Sequence, residues 1–223
     1  DEFLDLLKYY FPNCNVEGVE IDRKIANLSY DTFGVPSDVK LVVNDGRAYI
    51  QDKHNTKKYD LIMVDAYQDV TIPFQMSSVE FFQLVYDHLT DDGVMVVNMN
   101  MFNENGGKIN EYLCDTIHSV FPYVYKAPIT NSTNTELFAT KCSEPFEYFN
   151  DLYVSNHELR YVKNKVLGKL EAVEAGNNIF TDDKAPVELL GMEVLDDMIK
   201  DELESLKEQI KGKSLKELLD MLK

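Results

Sequence analysis

The stretch "KKYDLIMVDAYQDVTIPF" (residues 57–74) places an apolar run, Leu61 to Val64, directly before a carboxylate, Asp65, and then a polar loop. A short continuous apolar run, rather than an alternating one, is the pattern of a strand buried on both faces. The same pattern recurs in "NVEGVEID" (15–22), "VKLVV" (39–43) and "VMVVNM" (94–99). Segments of helical periodicity separate these runs: "RKIANLSYDTF" (23–33), a short piece at about 47–53, "SSVEFFQLVYDHL" (77–89) and "KINEYLCDTIHSVF" (108–121). Another amphipathic helix opens the sequence, with Phe3, Leu4, Leu7, Tyr10 and Phe11 on one face. Strands alternating with helices predict an α/β fold with a mostly parallel sheet covered on both faces and joined by right-handed crossovers. "YVYKAPI" (123–129) and "TELFATK" (135–141) have no helix between them. They predict a hairpin around "TNSTN" (130–134) and one antiparallel strand at the sheet edge.

Two helix starts are marked by side chains. Ser77 or Ser78 is an N-cap before 79–89, with Glu80 placed for a capping box. Thr181 or Asp182 is an N-cap in "FTDDKAPVELLG" (180–191), with Pro186 in the first turn. After residue 145 the character changes: 146–175 reads as helical, with a weak stop at "EAGNN" (174–178), and 192–223 as a charged helix. That last helix carries one apolar stripe of Val194, Leu195, Met198, Ile199, Leu203, Leu206 and Ile210. The expected organisation is a core over 1–145 and a helical extension over 146–223 that packs on the core or on a second copy in a homodimer.

Composition narrows the partners. Asp plus Glu number 39 and Lys plus Arg 22, a formal charge of −17 that repels nucleic-acid phosphates and anionic lipid headgroups. Cys14, Cys114 and Cys142 are odd in number and far apart, and neither they nor the four histidines show metal-ligand spacing. The expectation is buried thiols in a reducing, cytoplasmic compartment and no metal. No apolar run is long enough to span a membrane, and no signal-peptide pattern opens the sequence.

Three successive strands end in acids: Glu20 and Asp22, then Asp45, then Asp65. The spacing from Glu20 to Asp45 is 25 residues and from Asp45 to Asp65 is 20, that of successive βα units. Ligands of open α/β sheets sit beyond the carboxyl ends of the strands. An acid in the position of Glu20 can accept from both hydroxyls of a ribose, as in dinucleotide-binding sheets. Asp45 can accept from an adenine amino group, with the Gly46 N–H donating to the ring. Asp65 then lies near the reactive end of the ligand. The competing reading of each acid is a turn-capping or solvated group.

The blocks "VEGVEID", "VVNDGRAYI", "KYDLIMVDAYQDVTIPF", "SSVEFFQLVYDHLTDDGVMVVNM" and "FTDDKAPVELL" resemble, in order and spacing, the spermidine synthase (aminopropyltransferase) family. They are most like its divergent bacterial branch, and the resemblance covers about residues 1–190. It implies a class I S-adenosylmethionine-type Rossmann fold. It also implies decarboxylated S-adenosylmethionine as co-substrate and a diamine such as putrescine as acceptor, with no metal. By this resemblance Glu20 holds the ribose, Asp45 and Gly46 hold adenine, and Asp65 is the general base. Ile21 and Ala66 complete the nucleoside-binding set. Tyr67, Gln68 and Asp183 are the expected substrate-binding residues, and Tyr67 and Phe74 the aromatic lining of an acceptor channel.

Three departures accompany the resemblance. The family's first strand, its glycine-rich loop and its N-terminal hairpin domain are not in the sequence and are expected upstream of Asp1. The family's second acid, three residues after the base, is here Gln68, with Asp69 one residue further. "AYQDVTIPF" replaces the usual small residue and proline after the base. The rival readings are a methyltransferase using intact S-adenosylmethionine and a non-catalytic nucleoside-binding domain of a larger protein.

Overall fold

In the computed structural model of the chain, residues 2–32, 34–66, 72–99, 108–130, 132 and 134–211 are described. They fall into two compact units, Asp1–Lys58 and Tyr59–Lys223.

The first unit is built on two short parallel strands. Helix α1 (Glu2–Tyr10) precedes β1 (Glu17–Glu20), α2 (Arg23–Asp31), β2 (Lys40–Val43) and α3 (Gly46–Gln51). β1 and β2 pair in register, Glu17 with Lys40 and Glu20 with Val43. Helix α2 starts where it does because Asp22 caps it, accepting from the backbone N–H of Lys24 and Ile25. Its Ala26 is buried, as are Val35 and Val39 in the connection to β2.

The second unit is organised around one long strand. β3 (Tyr59–Val64) leads through a short 3₁₀ turn to α4 (Val79–His88), which feeds β4 (Leu89–Met99). Then follow α5 (Lys108–Val120), β5 (Tyr123–Pro128), β6 (Thr135–Thr140), α6 (Pro145–Asp151), α7 (His157–Leu167), β7 (Glu171–Ala172) and α8 (Val187–Ile210). The sheet order is β3-β4-β6-β5-β7, with β3 and β4 parallel. Leu89, Met95, Val97 and Met99 of β4 are almost wholly buried, as are Phe81, Phe82 and Val85 of α4 and Ile117 of α5. Cys114 of α5 is buried too, and burial pushes its thiol up to about 11, so it stays protonated near neutral pH.

The hairpin of β5 and β6 forms as the sequence predicts, but its antiparallel strand is not at the edge. β6 sits between β4 and β5 and is antiparallel to both. The crossover through α5 leaves a one-strand gap beside β4, and the hairpin return fills it. The "DDG" turn expected at 91–93 lies within β4, where the pairing with β3 jumps from Tyr59–Leu89 to Leu61–Val94 and Asp91 and Asp92 bulge into solvent. Residues 146–175 are not one helical stretch: α6 and α7 end at Asp151 and Leu167, and Glu171–Ala172 pairs with β5. The C-terminal helix begins at Val187 with Pro186 as its cap, so neither Thr181 nor Asp182 caps it. Of its predicted stripe, Ile199, Leu203, Leu206 and Ile210 are exposed; residues 212–223 lie outside the described residues. Among the described residues no helix is long and apolar enough to cross a membrane.

Glu17, at the opposite end of β1 from Glu20, closes the first unit. Its carboxylate accepts from Lys40 Nζ at 2.5 Å and Lys57 Nζ at 2.7 Å. Burial raises its pKa, but the hydrogen bonds from Lys40, Lys57 and Tyr49 outweigh this and hold it at about 2. A carboxylate held this low stabilises the fold fully above its unfolded value of ~4.5, and the contribution fades as pH falls toward 2. Both lysines are half exposed, so the effect is modest. Glu17→Gln is therefore expected to lower Tm at pH 7 and to converge with the parent near pH 2. Thermal melts of both proteins across that range check this, and a Tm difference independent of pH would refute it.

Candidate functional site

Both acids expected to bind a nucleoside stand at the carboxyl edge of the first unit's strands. Glu20 ends β1, is half-buried, and accepts the Asp22 N–H at 2.7 Å. The parallel ladder continues one step beyond the strands, with Asn44 N–H donating to the Glu20 carbonyl at 3.1 Å. Asp45 follows β2 and caps α3, its Oδ1 accepting from Ala48 N–H at 2.8 Å. Asp45 thus caps a helix, and this leaves a nucleoside role open because a carboxylate accepts several donors. Gly46 is the first residue of α3. Ile21 is exposed beside Glu20.

Asp65 lies in the second unit, one residue past β3, and is exposed. Val64 pairs with Val97, which makes Asn98 the neighbour of Asp65 on β4. The Asn98 side-chain amide donates to Asp65 Oδ1 at 3.2 Å and so orients the carboxylate. Asn98 in turn pairs across the antiparallel ladder with Glu136, the second residue of β6. Directly opposed residues project from one face of a sheet. Asp65, Asn98 and Glu136 therefore form a polar row across three strands, on the face opposite the buried Val64, Val97 and Leu137. Glu136 is half-buried; burial, and then the charge of Asp65, push its carboxyl above the usual range. Sequence reading missed Glu136. Strict alternation in "TELFATK" would have found it, since Glu136 falls between the inward positions Thr135 and Leu137. Ala66 is half-buried and Phe74 is exposed, while Tyr67, Gln68 and Asp69 lie outside the described residues.

The "TDDK" block does something other than open a helix. Thr181 and Lys184 exchange both backbone hydrogen bonds, making a tight turn with Asp183 exposed at its tip. Asp182 instead reaches the start of α4. It accepts from the Ser78 hydroxyl at 2.5 Å, and its own N–H donates to Glu80 Oε2 at 3.0 Å. Ser78 is the N-cap of α4, accepting from Phe81 N–H. Glu80 thus accepts from the distant turn, and with Ser78 as the cap it stands at N2 rather than at the N3 position of a capping box. Upstream of the turn, Asn178 N–H donates to Asp115 Oδ2 and Phe180 N–H to Thr116 Oγ1, each at 2.9 Å. An added Cβ at Gly176 would collide with the Asp115 carboxylate, which would have to move from its hydrogen bond with Asn178 N–H.

Residues 4–149 match the spermine/spermidine synthase domain family. The chain belongs to that family. Over 96% of its length it is 43% identical to a probable polyamine aminopropyl transferase of Bifidobacterium longum, and it spans 52% of that protein. The chain therefore covers about half the length of this curated relative. Among solved structures it is similar to a probable spermidine synthase from Corynebacterium glutamicum, with TM-score 0.52 and 20% identity, covering 75% of this chain and 60% of that one. It is also similar to human methyltransferase-like protein 13 in complex with SAH, with TM-score 0.57 and 22% identity, covering 81% and 82%. These likenesses show a shared Rossmann-type fold, the one the sequence motifs imply. The family match ends within α6, so it includes β3, β4 and β6 and the whole polar row of this family member.

Ser78→Ala removes both the α4 cap and the partner of Asp182. The expected cost is about 1–2 kcal/mol, the upper range for a lost N-cap. Urea unfolding measures it; a change within ~0.5 kcal/mol, as for an ordinary surface site, would show that the contact does not hold the turn.

Proposed function

We propose that this member of the spermine/spermidine synthase domain family transfers an aminopropyl group from decarboxylated S-adenosylmethionine to a diamine such as putrescine. The observation that carries the reading is the exposed Asp65 carboxylate, oriented by Asn98 one residue past the end of a parallel strand within the family match. The likeness to a probable polyamine aminopropyl transferase of Bifidobacterium longum supports the same reaction.

The chemistry asks little more of the protein. A primary amine has a pKa of ~10.4 by analogy with lysine, so it arrives protonated. Asp65 takes that proton and frees the nitrogen lone pair. The nitrogen forms a bond to the carbon beside the sulfonium as the carbon–sulfur bond breaks. The bonding electrons pass to sulfur, which leaves as a neutral thioether and needs no acid. The remaining acceleration comes from in-line placement of amine and sulfonium. In this reading Glu20 accepts from the ribose hydroxyls, Asp45 and Gly46 take the adenine, and Ile21 and Ala66 contact the nucleoside.

The test is Asp65→Asn in the full-length protein. Turnover is expected to fall by ~10²–10⁴-fold, the usual worth of a positioned base, while calorimetric binding of methylthioadenosine is retained. Wild-type turnover in Asp65→Asn together with loss in Asp69→Asn would assign the base to Asp69. Turnover of intact S-adenosylmethionine with none of the decarboxylated form would overturn the reaction in favour of methyl transfer.

A further inference from the structure

We propose that α8 pairs with α8 of a second copy of this chain, side by side and antiparallel, to make a two-stranded coiled coil. The proposal concerns assembly and stands independently of the transfer reaction.

The helix leaves its own unit soon after it starts. Val187 and Gly191 are buried, and the helix touches α5. From Met192 to Ile210 every described side chain is exposed. At 1.5 Å per residue that stretch is a rod of about 27 Å. A helix of this length is marginal in water by itself, and most helices owe their stability to an apolar face packed on something else.

What this rod shows to solvent is an ordered seam. Leu189, Met192, Ile199, Leu203, Leu206 and Ile210 are all exposed. With Asp196 in the one remaining position, they are spaced alternately by three and four residues. That is the a/d pattern of a heptad, held over three repeats. Between Ile199 and Ile210 the seam positions are the only apolar ones, so the stripe is narrow there. A helix packed on a globular core needs a wider stripe, and a strict a/d seam suits one other helix.

Charge decides the occupant and its direction. Residues 187–198 carry Glu188, Glu193, Asp196 and Asp197 and no lysine or arginine. The lysines come later, at Lys200, Lys207 and Lys211. The helix is therefore complementary to its own reverse. An antiparallel copy lays each acidic start beside a lysine-bearing end, whereas a parallel copy sets acid on acid and Asp196 on Asp196. With the two-fold axis between Ile199 and Leu203, Met192 lies opposite the partner's Ile210. Asp196 then lies opposite the partner's Leu206 with the partner's Lys207 beside it, so the one polar seam position has a cation in reach. A polar residue in a seam fixes register at a cost in stability.

The experiment is sedimentation velocity of the full-length protein over micromolar concentrations. The parent should sediment as a dimer. Leu203→Asp puts a charge at the centre of the seam and should abolish the dimer, with the near-UV circular dichroism of the folded chain retained. Asp196→Leu should tighten it. Direction is read by oxidative cross-linking, with peptide mapping to exclude links through Cys14, Cys114 and Cys142. A mixture of Met192→Cys and Ile210→Cys should link between copies, and Met192→Cys alone should not. A parent that stays monomeric, or a dimer unaltered by Leu203→Asp, would overturn the pairing. Linking by Met192→Cys alone would overturn the antiparallel arrangement. A monomeric parent whose α8 amides resist hydrogen exchange would show that another part of the full-length chain covers the seam, and would equally overturn the proposal.

Discussion

The alternation of side chains along β4 is the constraint on which the second unit depends. Met95, Val97 and Met99 point into a core closed by α4 and α5, and each is almost wholly buried. Because the period of a strand is two, that burial leaves no freedom in register. A slip by one residue would send Val94, Val96 and Asn98 into the core and expose the methionines. The same constraint therefore faces Asn98 outward, beside Asp65 on one flank and Glu136 on the other. Apolar packing on one face of the sheet sets the polar chemistry on the other.

Much of this could be read from residues alone. The apolar runs ending in Glu20, Asp45 and Asp65 mark strand ends, and each acid stands at the end of a strand or in the turn after it. What the sequence did not disclose depends on distant partners. Nothing local in "TELFATK" says that β6 enters beside β4 rather than at the edge, because hairpin position is settled by which strand edge α5 leaves open. Alternation in "TELFATK" marks Glu136 as outward-facing, but not its neighbour, which is Asn98, 38 positions earlier in the chain. Asp182 and Glu80 carried real capping signals, yet the partners they found are 102 to 104 residues away rather than three. Local propensity proposes a cap, and tertiary contact decides whose helix is capped.

The acids of the molecule divide by task. Glu17 is held ionised by two lysines and contributes to the fold of the first unit. Asp22, Asp45 and Asp115 satisfy backbone N–H groups that would otherwise lack partners. Glu136 is displaced upward by burial and then by the nearby Asp65 charge, the kind of environment in which functional groups concentrate.

The seam between the α4 cap and the "TDDK" turn also bears on how the chain is made. Ser78 and Asp182 are 104 residues apart, so the cap contact of a helix begun early must wait for chain synthesised much later. Until Asp182 has left the ribosome, the α4 terminus and the groove that holds Phe180 face water. The second unit therefore completes its fold late in synthesis, and an emerging chain truncated before the turn presents Tyr112, the ring that stacks on Phe180, to chaperones rather than to its own core.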